Sequence, residues 1–296
     1  MTTNNTYILD KLLLCPICNL PLTAEGRALR CDTGHSYDLS ASGYVNLLRP
    51  GKMNNKRAGD NATMVRARAN FLSGGYYTPI ADYIVNTLSE ILTHSGKEKE
   101  NGIVARPFII DAGSGTGWYS MKIASSLDEA LVFGIDASKH AVDIASRTAR
   151  RAGLSGSCAF AVASLSHMPI PDGCADAVLS LFAPLDTTEF ARVIAPGGYL
   201  LVGSAGARHL FGLKKILYDE PVENTPLKVD GGSDFNVICH ENVSFSITVW
   251  GEDDILALFS MTPYFYRTPA EGAARLHQIK VLKTEVSVDF TLLRRV

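Results

Sequence analysis

A short apolar run, Pro107-Phe108-Ile109-Ile110-Asp111, leads without a break into Ala112-Gly113-Ser114-Gly115-Thr116-Gly117. An unalternating run of this length suits a strand buried on both faces, as in a parallel sheet. The glycines let the backbone turn tightly and come close to a ligand before a helix starts near Trp118. Strand, glycine turn and helix in that order predict an open α/β sheet with a ligand at the turn. The spacing is G-x-G-x-G after an acid, not G-x-G-x-x-G, which favours a nucleoside ligand without a pyrophosphate. The next apolar run, Ala130 to Ile135, ends in Asp136. That acid lies about twenty residues beyond the glycines, where a carboxylate can accept hydrogen bonds from both ribose hydroxyls.

Later segments continue the alternation of strand and helix. Cys158 to Ala163 reads as a third strand, with Ser164 at its end, and Ala175 to Phe182 as a fourth. Glu189 to Ile194 reads as a helix stopped by Ala195-Pro196-Gly197-Gly198, and Tyr199 to Gly203 as the strand after it. Asp219 to Asn236 reads as a loop insertion, Trp250 to Met261 as a helix and Val281 to Leu292 as a closing strand. The pattern D-x-G-x-G-x-G followed by an acid-ended strand resembles the class I S-adenosylmethionine methyltransferases. The resemblance implies a Rossmann-like sheet. Asp111 would meet the methionyl ammonium directly or through water, Gly113, Gly115 and Gly117 would pass beside the amino acid and sugar, and Asp136 would hold the ribose.

The amino-terminal part carries a different chemistry. Cys15-Pro16-Ile17-Cys18 is followed, twelve residues on, by Cys31-Asp32-Thr33-Gly34-His35. The C-x2-C turn places two thiolates on one side of an ion and the C-x3-H pair supplies two more ligands, so Cys15, Cys18, Cys31 and His35 can close a zinc tetrahedron. About twenty residues cannot hold a core alone, and a structural zinc supplies on the order of 10 kcal/mol of folding free energy. All four positions filled by protein leave none for water, so the metal is expected to be structural. Three of the six cysteines sit in this pattern, which argues for metal rather than a disulfide framework.

Charge divides the chain in the same place. Residues 1–70 hold nine Lys/Arg against five acids, so with a total of -2 the remainder carries -6. A polyanion would meet the amino-terminal part first. Arg49 to Asp60 is basic, poor in large apolar residues and marked by Pro50 and Gly51, and reads as a mobile linker. Asn61 to Leu72 and a segment from about Thr78 read as helices. The boundaries expected are 1–50 for the zinc module, 51–76 for the basic linker and helix, and 77–296 for the large domain. No run approaches the ~20 apolar residues of a membrane span, and the expected location is cytoplasmic.

Joined to Gly43-Tyr44-Val45-Asn46-Leu47-Leu48 and the stretch from Gly59 to Tyr77, these features make the chain similar to the 23S ribosomal RNA guanine-N1 methyltransferases. That family includes members conferring macrolide resistance. The resemblance covers nearly the whole chain and implies methyl transfer to a guanine in an RNA hairpin, recognition of the hairpin by the zinc module, and a homodimer. It also implies that Tyr77, Gly115, Thr116 and His209 contact the methyl donor. On sequence alone Tyr77 reads as a core aromatic and His209 equally well as a surface histidine. Phe182 is a candidate for stacking on the unpaired acceptor base and Asp186 for taking the N1 proton. Two other functions compete. One is a small-molecule methyltransferase acting on a quinone or a macrolide, which leaves the zinc module unexplained. The other is a non-catalytic RNA-binding protein, against which the intact glycines and acids argue.

Overall fold

The computed structural model describes residues 12–49, 62–93 and 106–296. The expected linker lies outside the described residues apart from Arg49. At the amino terminus, β1 (Thr23–Glu25), β2 (Ala28–Arg30) and β3 (Ser36–Asp38) form a three-stranded antiparallel sheet. Leu13, Leu22 and Leu29 are fully buried beneath it beside Cys15. The module is stitched to the rest of the chain, since the Leu14 amide donates to the Pro169 carbonyl at 2.9 Å. Its exit strand β4 (Val45–Asn46) pairs in parallel with Ala161 and Val162 of the large sheet.

That sheet is built from β5 (Phe108–Ala112), β6 (Leu131–Asp136), β7 (Cys158–Val162), β8 (Ala175–Leu181), β9 (Ile194–Ala205), β10 (Phe235–Trp250) and β11 (Val281–Arg295), with β4 at one edge. Its order is β10-β11-β9-β8-β5-β6-β7-β4. The strands from β4 to β9 run parallel, while β11 is antiparallel to β9 and β10 to β11. This is the class I methyltransferase sheet with an added edge strand contributed by the amino-terminal part. The boundary expected at residue 50 thus follows a strand that belongs to both.

The helices are α1 (Ala62–Ser73), α2 (Thr78–Thr93), α3 (Trp118–Ser126), α4 (Lys139–Arg151), α5 (Thr187–Val193), α6 (Phe211–Leu217), α7 (Glu252–Ser260) and α8 (Ala270–Arg275). In α2 the apolar stripe Ile80, Ala81, Ile84 and Leu88 is buried, as helical spacing requires. Ser138 caps α4 by accepting the Ala141 amide at 3.3 Å, an arrangement worth about 1 kcal/mol. α1 packs on α7, and Arg68 donates to the Met261 carbonyl at 3.3 Å. The Pro-Gly-Gly turn expected after α5 is carried inside β9. Ala175 pairs with Ile194 and Ala177 with Tyr199, so the intervening residues bulge from an otherwise continuous strand. β10 has no counterpart in the sequence reading. No described helix is long and apolar enough to cross a membrane.

Candidate active site and metal centre

Reversal of strand order between β5 and β8 opens a crevice at the carboxyl ends of the strands, where ligands of such sheets bind. A cavity of about 1250 Å³ lies there, larger than the roughly 300–1,000 Å³ of a single small-molecule site. Its inner wall comes from Gly113 to Thr116, Asp136 to Ser138 and Ser164 to His167. Its outer wall comes from Phe182 to Pro184, Met261 to Tyr264, Tyr266 and Arg267, and from Pro16 and Leu47 to Arg49 of the amino-terminal part. The cavity therefore has room for more than one small ligand, and Pro16 and Leu47 to Arg49 of the amino-terminal part form one side of it.

The glycine loop is shaped for a ligand rather than merely for a turn. Gly115 has φ +53, and a Cβ there would meet nothing within 4 Å, so its open side faces the cavity. Gly117 serves packing instead, since a Cβ would come within 2.7 Å of Phe160. Asp136 holds the loop: its Oδ2 accepts the Gly115 amide at 2.9 Å and its Oδ1 accepts the Ser138 amide at 2.7 Å. Ser114 Oγ, Thr116 Oγ1 and Tyr119 OH are buried with no partner among the described residues, and all three residues line the cavity. Orphaned hydroxyls around an open glycine and a carboxylate fit the polar edges of S-adenosylmethionine.

Asp111 sits behind this wall, buried, and accepts the Ser120 hydroxyl at 2.5 Å. Burial pushes its carboxyl up to about 6, against the Ser120 bond and with a further push from the neighbouring Asp136. A cationic ligand would relieve both carboxylates. Among the described residues lining the cavity, Asp136 is the only carboxylate.

Tyr77 and His209 meet in the cavity lining, with Tyr77 OH 3.5 Å from His209 Nε2. Both are buried. His209 Nδ1 accepts the Ser287 amide at 3.3 Å, which assigns the proton to Nε2. Burial pushes His209 down to about 4, and the nearby Lys214 adds to the fall. A base depressed in the native state costs stability as pH falls. The unfolded chain takes up the proton near 6.5 and the native chain only near 4, so roughly 2 kcal/mol is lost by about pH 5. Asp111, raised in the native state, acts in the opposite direction over the lower part of this window. We expect His209→Gln to lose less stability than the parent between about pH 7 and pH 5 in urea titrations. An unchanged pH slope would remove this assignment.

Phe182 has φ +52 and is 46% exposed, a combination that costs backbone strain and leaves a large ring in solvent. Its amide donates to the Gly203 carbonyl at 2.9 Å, and its ring centroid lies 5.4 Å from that of His209. Asp186 is placed elsewhere. Its Oδ1 accepts the Glu189 amide at 3.1 Å, capping α5, and it does not line the cavity. Gly117 and Asp111 also stand behind the lining. Sequence reasoning missed Tyr264 and Asn224, which join at 3.1 Å on the outer wall. Tyr264 stands out in sequence only as part of the aromatic run Tyr264-Phe265-Tyr266, with no role attached to it, and no local pattern marks Asn224.

The metal ligands converge. Cys15, Cys18 and Cys31 Sγ and His35 Nδ1 all lie within 4.8 Å of one another. Individual separations are 3.6 Å for Cys18 to Cys31, 3.5 Å for Cys15 to His35 and 3.4 Å for Cys31 to His35. A zinc tetrahedron with Zn–S near 2.3 Å and Zn–N near 2.05 Å has edges of roughly 3.5–3.8 Å, so the donor set fits zinc. Thr33 Oγ1 stands 3.1 Å from Cys18 and Cys31, and Tyr37 OH 3.2 Å from Cys15. These hydroxyls can donate to the thiolates and orient them; sequence reading had singled out neither.

Residues 13–57 match the family model described as "RlmA, N-terminal", and residues 109–198 match a methyltransferase domain. The chain is 31% identical over 291 residues to the 23S rRNA (guanine(748)-N(1))-methyltransferase of Streptomyces fradiae, covering 96% of this chain and 97% of that one. This chain belongs to the 23S rRNA guanine-N1 methyltransferase family. A relative from Micromonospora griseorubida, assigned to the same reaction without a nucleotide number, is 35% identical over 209 residues and 68% of each chain. One from Bacillus subtilis, similarly assigned, is 27% identical over 294 residues, covering 94% of this chain and 95% of that one. The enzyme thus pairs a zinc ribbon with a methyltransferase domain, as the residues themselves indicate.

Proposed function

We propose that this enzyme transfers the methyl group of S-adenosylmethionine to N1 of a guanine in a 23S rRNA hairpin. The observation that carries the reading is the shared cavity: the glycine loop lines one side, and Pro16 and Leu47 to Arg49 of the zinc-bearing part line the other. A small-molecule enzyme has no need of that second wall. Bound S-adenosylmethionine supplies an electrophilic methyl on a sulfonium centre.

The chain's own residues do the rest. Asp136 and the amides it fixes hold the nucleoside end, with Thr116, Tyr77 and His209 on the same wall and Gly113, Gly115 and Gly117 shaping the loop. Asp111 stands behind them as a buried counter-charge. A guanine N1 carries a proton at neutral pH and pairs within duplexes, so the base must be unpaired and exposed before transfer. Phe182 is the residue we place against that base: strained, half-exposed, and at the mouth between donor and acceptor. Asp186, spent on a helix cap, would have to take the N1 proton through a water from outside the lining. Zinc, held by Cys15, Cys18, Cys31 and His35, serves structure. A homodimer is part of the same proposal.

Incubation of zinc-loaded enzyme with labelled donor and unmodified 23S rRNA, followed by mass-spectrometric mapping, is expected to give N1-methylguanosine at one hairpin position. Phe182→Ala is expected to lose at least about tenfold in RNA turnover, the scale of one base–aromatic stack, with donor affinity retained. Tight donor binding without incorporation into RNA or ribosomal particles would move the reading to a small-molecule acceptor.

A further inference from the structure

Outside the cavity, the turn at residues 40–43 of the amino-terminal part rests on α4. Ser42 Oγ donates to Asp143 Oδ1 at 2.7 Å, Ser146 Oγ donates to the Ser42 carbonyl at 2.7 Å, and Arg150 donates to the Ala41 carbonyl at 3.2 Å. From the other side Arg27 reaches the Ser40 carbonyl at 3.4 Å. A cleft of about 570 Å³ opens at this junction, lined by Ala41, Ser42, Asp143, Arg147, Arg150 and Arg151.

The cleft is strongly cationic. Both oxygens of Asp143 are engaged, one by Ser42 and the other by Arg147, so its charge is already matched. Arg150 spends a hydrogen bond on a neutral carbonyl, and Arg151 makes no hydrogen bond or ion pair among the described residues. α4 carries Lys139, Arg147, Arg150 and Arg151 against Asp143 alone, on a body whose residues beyond 70 total -6. Arg147 and Arg151 stand four apart, where like charges repel on a helix. The helix dipole favours cations in the last turn, but it gives no reason for Arg147, a turn earlier, to line the same cleft as Arg150 and Arg151.

We propose that this cleft seats the phosphodiester backbone of the RNA substrate, as a contact separate from the reaction cavity; the inference rests on the RNA reading above. Guanidinium groups bind phosphate oxygens through parallel N–H donors, and such contacts fix register without reading bases. The geometry links the two sites. Ser138 and Ala141 at the start of α4 line the reaction cavity, and Arg150 lies nine residues further along the same helix. At 1.5 Å per residue that separation is roughly 14 Å, about four to five nucleotide steps of a stacked strand. A guanine in the cavity would therefore place phosphates a few nucleotides away over the cleft.

The test uses Arg150→Ala/Arg151→Ala in the full zinc-loaded chain. Hairpin RNA affinity is measured by anisotropy against salt, alongside RNA KM, kcat and donor affinity. We expect RNA affinity to fall about tenfold at low salt, and the slope of log K against log salt to shrink by about 1.5–2, the share of two phosphate contacts. Both kcat at saturating RNA and donor affinity are expected to be unchanged. Arg151→Glu, which leaves the Arg150 contact to Ala41 in place, is expected to show the same kind of loss, and Arg151→Lys to restore most of it. Unchanged RNA affinity and salt slope in variants of a parent that methylates RNA would overturn the cleft alone. A lowered melting temperature with no change in RNA binding would overturn it in favour of the dipole role. A parent that neither binds nor methylates RNA would take down the RNA reading and the cleft together.

Discussion

Cys18→Ser is expected to leave a chain that no longer retains zinc, no longer methylates RNA and still binds the methyl donor. The small sheet of residues 23–38 has three fully buried leucines, Leu13, Leu22 and Leu29, for its core. Their burial contributes about 2 kcal/mol each, far less than the conformational entropy of ordering a segment of this length. The metal closes the difference, with on the order of 10 kcal/mol at a structural site. Loss of one thiolate gives up most of that and lets the turn carrying Pro16 come away from the cavity. β4 is held by the large sheet, through Val45 to Ala161 and the Leu47 amide to the Val162 carbonyl at 2.8 Å, so the damage stops before the donor wall. Metal analysis, donor calorimetry and RNA methylation on one preparation check this. Full RNA methylation in a zinc-free chain would separate the module from the reaction.

The contrast between those two walls also marks what the sequence made legible. The glycine-loop half was readable because its signals are local: a strand, a glycine turn and an acid-ended strand occupy Phe108 to Asp136, and that stretch lines the cavity. The metal site was readable for the same reason, its four ligands lying within twenty-one residues. The acceptor half was not, because Leu47 to Arg49, Phe182, Asn224 and Tyr264 come from four distant segments joined only by strand order. Asp186 shows how closeness in sequence to Phe182 does not by itself put a side chain in the cavity lining. Four residues beyond Phe182 in sequence, its carboxylate turns back to cap a helix. β10 was a different failure. Val243 to Val249 alternates apolar and polar residues strictly, but His240-Glu241-Asn242 interrupts the pattern, and half of that strand faces solvent. Charge totals concealed α4, whose cations vanish when averaged into an acidic body.

Asp136→Ala is expected to cut donor affinity by at least about a hundredfold while zinc content and RNA affinity stay near the parent's. The carboxylate has two duties that fail together. It accepts the Gly115 and Ser138 amides at 2.9 and 2.7 Å, and charge-assisted hydrogen bonds of this kind contribute roughly 1.5–3 kcal/mol each. Alanine leaves both amides without their acceptor and frees a loop whose Gly115 already occupies a left-handed conformation. It also removes the only carboxylate among the described cavity-lining residues, and with it the acceptor we propose for the ribose hydroxyls. Asp136→Asn keeps one acceptor oxygen and the side-chain shape, so it is expected to fall between alanine and the parent. Calorimetry orders the three chains. If all three bind the donor equally, the nucleoside end lies elsewhere in the cavity and the assignment of its inner wall fails. If the parent itself binds no donor, the chain is an RNA-binding protein with an idle pocket, and the zinc module becomes its working part.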